Sequence, residues 1–235
     1  MKRSLEKEMM DLPGNAPRLL EGELYNLKIL NRALGGRRGI LRCLAALAEQ
    51  NRLSGFSLLD VGTGGADIPI AIVRWARRRG IAARIVALEP DPVAAALARR
   101  ETRDFPEISI LRGDGFKPPF KPGAFDFVLA SQVLHHFSEA DITALLRAWA
   151  GLARRALLVS DLVRHPLAYC GIWLLTGLFT RNVMTRRDAP LSVRRAFTVE
   201  EWQRLFRSAG VGPARVLALF PFRMIAHIRL RHEAV

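Results

Sequence analysis

The sequence predicts an α/β fold: a doubly wound, mostly parallel seven-stranded sheet with a C-terminal antiparallel hairpin, N-terminal helices and a helical lid insertion. Three observations carry that reading. Short apolar runs alternate with segments of helical periodicity from Phe56 to Ser160, which implies βαβ units with helices on both sheet faces. The first apolar run stops at Asp60 and the cluster Gly62-Thr63-Gly64-Gly65, a tight junction into a following helix. After Ser160 the alternation fails, and two short runs separated by Pro221 and Phe222 read as a closing hairpin.

Residues 1–17 are polar and contain Pro13, Gly14 and Pro17, which reads as a loose leader. Residues 18–35 carry Leu20, Leu24, Leu27 and Leu34 near helical spacing; Gly35 and Gly36 stop that helix before a second one over 38–49. Phe56–Val61 is a buried strand and 66–79 the helix after its loop. Arg84–Leu88, Ile108–Leu111, Phe125–Ala130 and Ala156–Ser160 are further strands, with helices at Pro92–Arg100 and Ala140–Ala150. Thr198–Ser208 is a helix whose Thr-Val-Glu-Glu start reads as a capping box, and Arg215–Phe220 with Arg223–Leu230 forms the hairpin. Between them Leu167–Phe179, LAYCGIWLLTGLF, is almost wholly apolar but too short to span a bilayer. It reads as a buried helix, as a lid over a hydrophobic substrate, or as a surface helix dipping into lipid between flanking arginines.

These segments divide the chain into an N-terminal helical cap, 1–50, and a main domain, 51–235, with the helical insertion at about 164–197. Half the residues are hydrophobic and a quarter charged, a globular composition. Cys43 and Cys170 stand far apart, with no metal-ligand spacing and no disulfide framework, so no metal is expected and a reducing cytoplasm is the plain setting. The formal charge of +14 favours anionic partners, but its arginines are dispersed in pairs, as on a solvated surface.

The loop Asp60-Val61-Gly62-Thr63-Gly64-Gly65-Ala66-Asp67 lets the backbone approach a ligand closely and offers the next helix's N–H groups to an anionic end. The next strand ends in Glu89-Pro90, where a carboxylate can accept from both hydroxyls of a ribose. Arg112-Gly113-Asp114-Gly115-Phe116 follows the third strand, then Pro118-Pro119-Phe120; Ser131-Gln132-Val133-Leu134-His135-His136-Phe137 follows the fourth.

Together these motifs resemble the class I S-adenosylmethionine (SAM)-dependent methyltransferases, particularly the small-molecule group of quinone-biosynthesis and related O-methyltransferases. The resemblance covers roughly residues 55–165 and, more loosely, the C-terminus, and it implies a Rossmann-like fold. It implies that Gly62, Thr63, Gly64 and Gly65 pass under the methionine part of SAM, with Asp60 near its amino group. Glu89, beside Pro90, would bind the ribose. Asp114 would bind the adenine amino group, with Gly115 and Phe116 beside the ring, and Ser131 and Gln132 would line the methionine side. The sequence departs from the family at Ala66, where glycine is frequent; a positive φ there would strain the loop. Similar enzymes lay N-terminal helices over the cofactor, so Tyr25, Asn31 and Arg32 could close the site, with Arg32 meeting the SAM carboxylate; plain surface positions are the alternative.

His135 and His136, at the ligand end of the fourth strand, are the candidate general bases for a hydroxyl acceptor, with a packing role as the alternative. Asp161 and His165 are second choices, and catalysis by proximity alone needs none of them. The expected reaction is methyl transfer to a hydrophobic small molecule (aromatic polyketide, phenolic lipid or quinone precursor), at oxygen in preference to carbon. Peripheral membrane contact and a homodimer are further expected associations. An RNA or protein acceptor is the alternative raised by the charge. Against it stand the lack of aromatic-basic interleaving, and Ser131-Gln132-Val133-Leu134 where amine-methylating enzymes often carry Asn/Asp-Pro-Pro-Tyr. A non-catalytic binding protein and a nicotinamide oxidoreductase share the glycine loop; the oxidoreductase leaves the features at Asp114 and His135 unexplained.

Overall fold

The computed structural model describes residues 1–230; residues 231–235, the end of the expected main domain, lie outside the described residues. Helices α1 (Pro17–Ala33) and α2 (Gly36–Gln50) lead into β1 (Gly55–Val61), α3 (Asp67–Arg78), β2 (Ala82–Glu89), α4 (Pro92–Glu101) and β3 (Ile108–Arg112). Then come β4 (Phe125–Ser131), α5 (Glu139–Leu152), β5 (Ala153–Leu162), the helical insertion α6 (Pro166–Phe179) and α7 (Val183–Arg195), α8 (Val199–Ala209), β6 (Ala214–Leu219) and β7 (Arg223–Arg229). The strands form one seven-stranded sheet in the order β3-β2-β1-β4-β5-β7-β6. β1 to β5 pair in parallel and β7 runs antiparallel to both β5 and β6. The order reverses between β1 and β4, and such a switch point opens a crevice at the carboxyl ends of the strands.

The apolar runs become strands because both faces are covered. On one face Leu145 and Trp149 of α5 join Trp202 and Phe206 of α8 over Val128 and Val159; on the other, Ile40 and Leu44 of α2 join Ile72 and Trp75 of α3 over Leu58 and Phe127. α2 therefore belongs to the sheet's own layer, and of the N-terminal helices only α1 lies above the carboxyl ends of the strands. Gly35, at φ +79°, makes the sharp turn between the two. The capping box at the start of α8 is present, with Thr198 and Glu201 each satisfying the other's backbone.

Two expectations are corrected. The leader is anchored, because it buries a charge. Glu8 is enclosed among His135, His136 and Arg195; the backbone N–H groups of Met9 and Met10 donate to Asp188 at 2.8 and 2.9 Å; and Arg3 donates to the Arg195 carbonyl at 2.7 Å and stacks on Phe197. The apolar stretch of the insertion is not a buried helix: of the α6 side chains only Thr176 is buried, while Trp173 is 61% exposed and Phe179 80%. Its inner face, with Ala168, Ile172 and Leu175, turns toward α1 and α7.

Candidate active site

The glycine loop, Glu89, Asp114 and Ser131 lie at the carboxyl ends of β1, β2, β3 and β4, on one edge of the sheet. Gly62 and Gly64 take positive φ (+71° and +53°), and a Cβ on Gly62 would collide with Val133 at 2.6 Å. Glu89 is buried and ties the loop down: its carboxylate accepts from the Gly64 N–H at 2.8 Å and from the Asp91 N–H at 3.0 Å. Asp60 is buried and accepts from the Thr63 hydroxyl at 2.7 Å. Burial pushes its carboxyl up to about 7 against that hydrogen bond, and Asp67 and Glu89 add to the rise. Asp114 is exposed and accepts from the Phe116 N–H at 2.9 Å; Phe116 in turn meets Phe137 edge to face. Gly115 receives the Trp149 indole N–H on its carbonyl, and Pro90 is exposed beside Glu89.

Ala66 stands at φ +58°, fully buried, so the loop shape survives the loss of glycine with the strain that the positive φ brings, about 1 kcal/mol.

A polar partition runs from the loop to a second space. Gln132, itself at φ +57°, donates from its side-chain amide to Asn31 of α1, and Asn31 donates to Asp67 at 3.4 Å. Beyond Gln132 lies an apolar cavity of about 310 Å³ beneath α6 and α7, walled by Leu30 and Leu34 of α1, Leu162, Ile172, Val193 and Phe222. Arg223 is the single ionisable side chain among the described residues that line it.

The histidines face elsewhere. His135 is buried with Nδ1 2.7 Å from Asp161 and Nε2 3.5 Å from Glu8. Burial alone would lower its pKa, but the two carboxylates outweigh burial and hold the ring protonated up to about 10. An imidazolium with both nitrogens engaged has no lone pair for a substrate proton, which corrects the expectation that His135 is the general base. His136 is turned to the same N-terminal segment, Nδ1 2.9 Å from Asp11 and Nε2 3.9 Å from Glu8, and does not line the cavity. Asp161 gives Oδ1 to His135 and holds Oδ2 buried without a hydrogen-bond partner, and His165 caps α6 by accepting from the Leu167 N–H. Arg32 is exposed, one residue along from the buried Asn31, so the helix face that meets the loop is the one carrying Leu24 and Asn31; Tyr25 is exposed too.

Sequence reasoning missed Glu8, Asp67, Arg195 and Arg223. Arg195 is buried and donates to the carbonyls of His135 at 3.2 Å and His136 at 2.7 Å, fixing the loop after β4. Nothing in an isolated arginine or a leader glutamate announces burial. Asp67 alone carried a signal, as the first acid of the helix after the glycine loop.

SAM would ask this site for an acceptor for its ammonium, acceptors for two ribose hydroxyls and one for an adenine amino group. Asp60, Glu89 and Asp114 are three carboxylates in that order along the edge of the sheet, and a methionine carboxylate would meet the N–H groups at the start of α3. The donor set fits. Residues 59–156 match the family model described as methyltransferase domain. Among solved structures, a SAM-dependent methyltransferase from Aquifex aeolicus is 15% identical, with 92% of this chain and 100% of that one covered and a TM-score of 0.64. Magnesium protoporphyrin IX methyltransferase from Synechocystis PCC 6803, with bound S-adenosylhomocysteine, is 16% identical, covers 84% of each chain and gives 0.57. The methyltransferase domain of the citrinin polyketide synthase is 14% identical over 75% of this chain at a TM-score of 0.57, and this chain spans about half, 46%, of its length. No curated protein matches the sequence. Residues 59–156 thus match a methyltransferase domain, and the chain shares the fold of the solved SAM-dependent methyltransferases.

Proposed function

We propose that the chain transfers a methyl group from SAM to a hydrophobic small molecule of the aromatic polyketide, phenolic lipid or quinone-like kind, at oxygen. The observation that carries this reading is the apolar cavity directly beyond Gln132. A charged polymer such as RNA finds few partners in a concave apolar space, whereas a compact aromatic or alkyl body fills one. SAM supplies an activated methyl on a sulfonium, so the protein's part is to hold an acceptor oxygen in line with it and to exclude water. Asp60, Gly62, Thr63, Gly64, Gly65, Glu89, Pro90, Asp114, Gly115, Phe116, Ser131 and Gln132 would form the cofactor side. Gln132 and Asn31 would divide it from the acceptor side. With both histidines engaged elsewhere, proximity rather than a histidine base would do the catalysis. The exposed apolar face of α6, flanked by Arg181 and Arg186, supports acceptor pick-up from an anionic lipid surface.

Calorimetric titration with S-adenosylhomocysteine, with NADH in parallel, tests the cofactor. Binding of the first alone, weakened on the order of a hundredfold by Glu89→Gln through two lost charge-assisted hydrogen bonds, is expected. Transfer of labelled methyl from SAM into a phenolic or lipid extract, but not into RNA, tests the acceptor. Binding of NADH alone, or label in RNA, overturns the reading.

A further inference from the structure

Arg223 is 3% exposed, yet its Nε and Nη1 have no hydrogen-bond partner. A guanidinium taken out of water without a partner is costly, and native proteins tolerate it where something else supplies the partner. The two acids that act on it electrostatically are Asp161 and Asp67. Neither is paired with it: Asp161 spends Oδ1 on His135 and the Leu162 N–H while its buried Oδ2 has no hydrogen-bond partner, Asp67 accepts from Asn31, and among the described residues no carboxylate lies within ion-pair distance of the guanidinium. A second positive feature converges on the same spot. α2 begins at Gly36 with no side-chain cap, and a Cβ on Gly36 would stand 2.7 Å from Nη1 of Arg223. The positive end of a fifteen-residue helix therefore abuts an unpaired cation, an arrangement that repels itself unless an anion lies against both. Around the pair the walls are apolar, with Leu34, Leu162, Val193 and Phe222.

We propose that Arg223 and the N-terminus of α2 bind a carboxylate carried by the methyl acceptor, which is therefore an amphiphile with an apolar body and an anionic group. This rests on the reading of the apolar cavity as the acceptor site. Nη1, the guanidinium nitrogen beside Gly36, donates to the carboxylate, and the N–H groups at the start of α2 add to it. The apolar body lies under α6 and α7. A neutral molecule of the same shape leaves the cation unpaired and is rejected for that reason. Specificity thus comes from one buried charge in a cavity that otherwise offers shape alone.

Octanoate and its methyl ester differ in the charge and little else, and each is titrated into the full-length protein with and without saturating S-adenosylhomocysteine. Octanoate is expected to bind at least about tenfold more tightly than methyl octanoate, equally in the presence of the cofactor product. Arg223→Gln is expected to erase that preference while leaving S-adenosylhomocysteine affinity within about twofold, and Arg223→Lys to keep part of it. Equal binding of acid and ester by the unaltered protein overturns the proposal, whether or not the variants fold. So does competition between octanoate and S-adenosylhomocysteine, or loss of S-adenosylhomocysteine binding in Arg223→Lys; either would give Arg223 to the cofactor's own carboxylate. If the unaltered protein binds no S-adenosylhomocysteine, the methyltransferase reading fails by itself, and the acid-over-ester preference still decides the anion site.

Discussion

At the scale of single residues, the site's chemistry turns on charges that the fold buries. Asp60 is the clearest case. Its carboxyl is pushed up to about 7 by burial, with only the Thr63 hydroxyl and no cation against it. An ammonium brought beside it favours the ionised form, so binding releases a proton in the range where the empty site is still protonated. Affinity for S-adenosylhomocysteine is therefore expected to fall as pH drops below about 7, approaching about tenfold per pH unit, and to flatten in Asp60→Asn. Calorimetry across that range checks this; a pH-independent affinity removes Asp60 from the ammonium. For stability the sign is the reverse. An acid whose folded pKa is raised costs stability above that pKa, and the cost is lifted as pH falls through about 7 towards the unfolded value. The sequence placed Asp60 and Glu89 at the ends of β1 and β2 because an acid closing an apolar run has few other uses. Arg223 was not legible, since nothing near it in sequence shows that its strand pairs with β5 and that Gly36 leaves room for its head.

At the scale of elements, the periodic segments were legible and the polar tethers between distant segments were not. β1 to β5, α3 and α8 stand within a few residues of their predicted ends, because alternation and capping are local signals. The leader is the contrast. Its polar composition reads as a loose leader, yet Glu8 enters a cluster with His135, Asp161 and Arg195, each more than 120 residues away in sequence. That cluster has a pH signature. His135 is held protonated up to about 10, so its contribution is complete below the unfolded histidine value of about 6.5 and is lost as pH rises through about 10. Melting curves are expected to show stability declining over that window. His135→Asn is expected to be less stable at neutral pH by about 3 kcal/mol or more, since two buried acids lose their counter-charge, and to lack that part of the slope. Glu8→Gln should lose a comparable amount. A Glu8→Gln protein that melts with the parent would mean that the leader only rests on the domain.

At the scale of the whole molecule, two features act together: a net charge of +14, dispersed along the chain, and an insertion whose outer helix exposes Leu167, Trp173, Leu174, Leu178 and Phe179. The sequence raised a buried helix, a lid and a lipid-facing helix for this segment together, and could not choose, because an apolar run without polar alternation shows no preferred face. In the fold α6 does two things at once: its inner residues roof the cavity and its outer ones are bare. None of its residues is charged, so nothing on the outer face opposes apolar contact, while Arg181, Arg186 and Arg187 stand just beyond its C-terminal end. Such a helix gains from a lipid interface on both counts, apolar burial and attraction to anionic headgroups. The protein is accordingly expected to co-sediment with vesicles containing phosphatidylglycerol, less with purely zwitterionic ones, and less again at high salt, which screens the arginines. Trp173→Ser combined with Phe179→Ser is expected to cut the vesicle-bound fraction about tenfold or more, because two large side chains no longer leave water. S-adenosylhomocysteine binding should be unchanged, since neither residue borders the glycine loop. If the unaltered protein stays in the supernatant with every vesicle, the α6 face is covered by something other than lipid; a change of oligomeric state in the double variant would then point to a second copy of the chain.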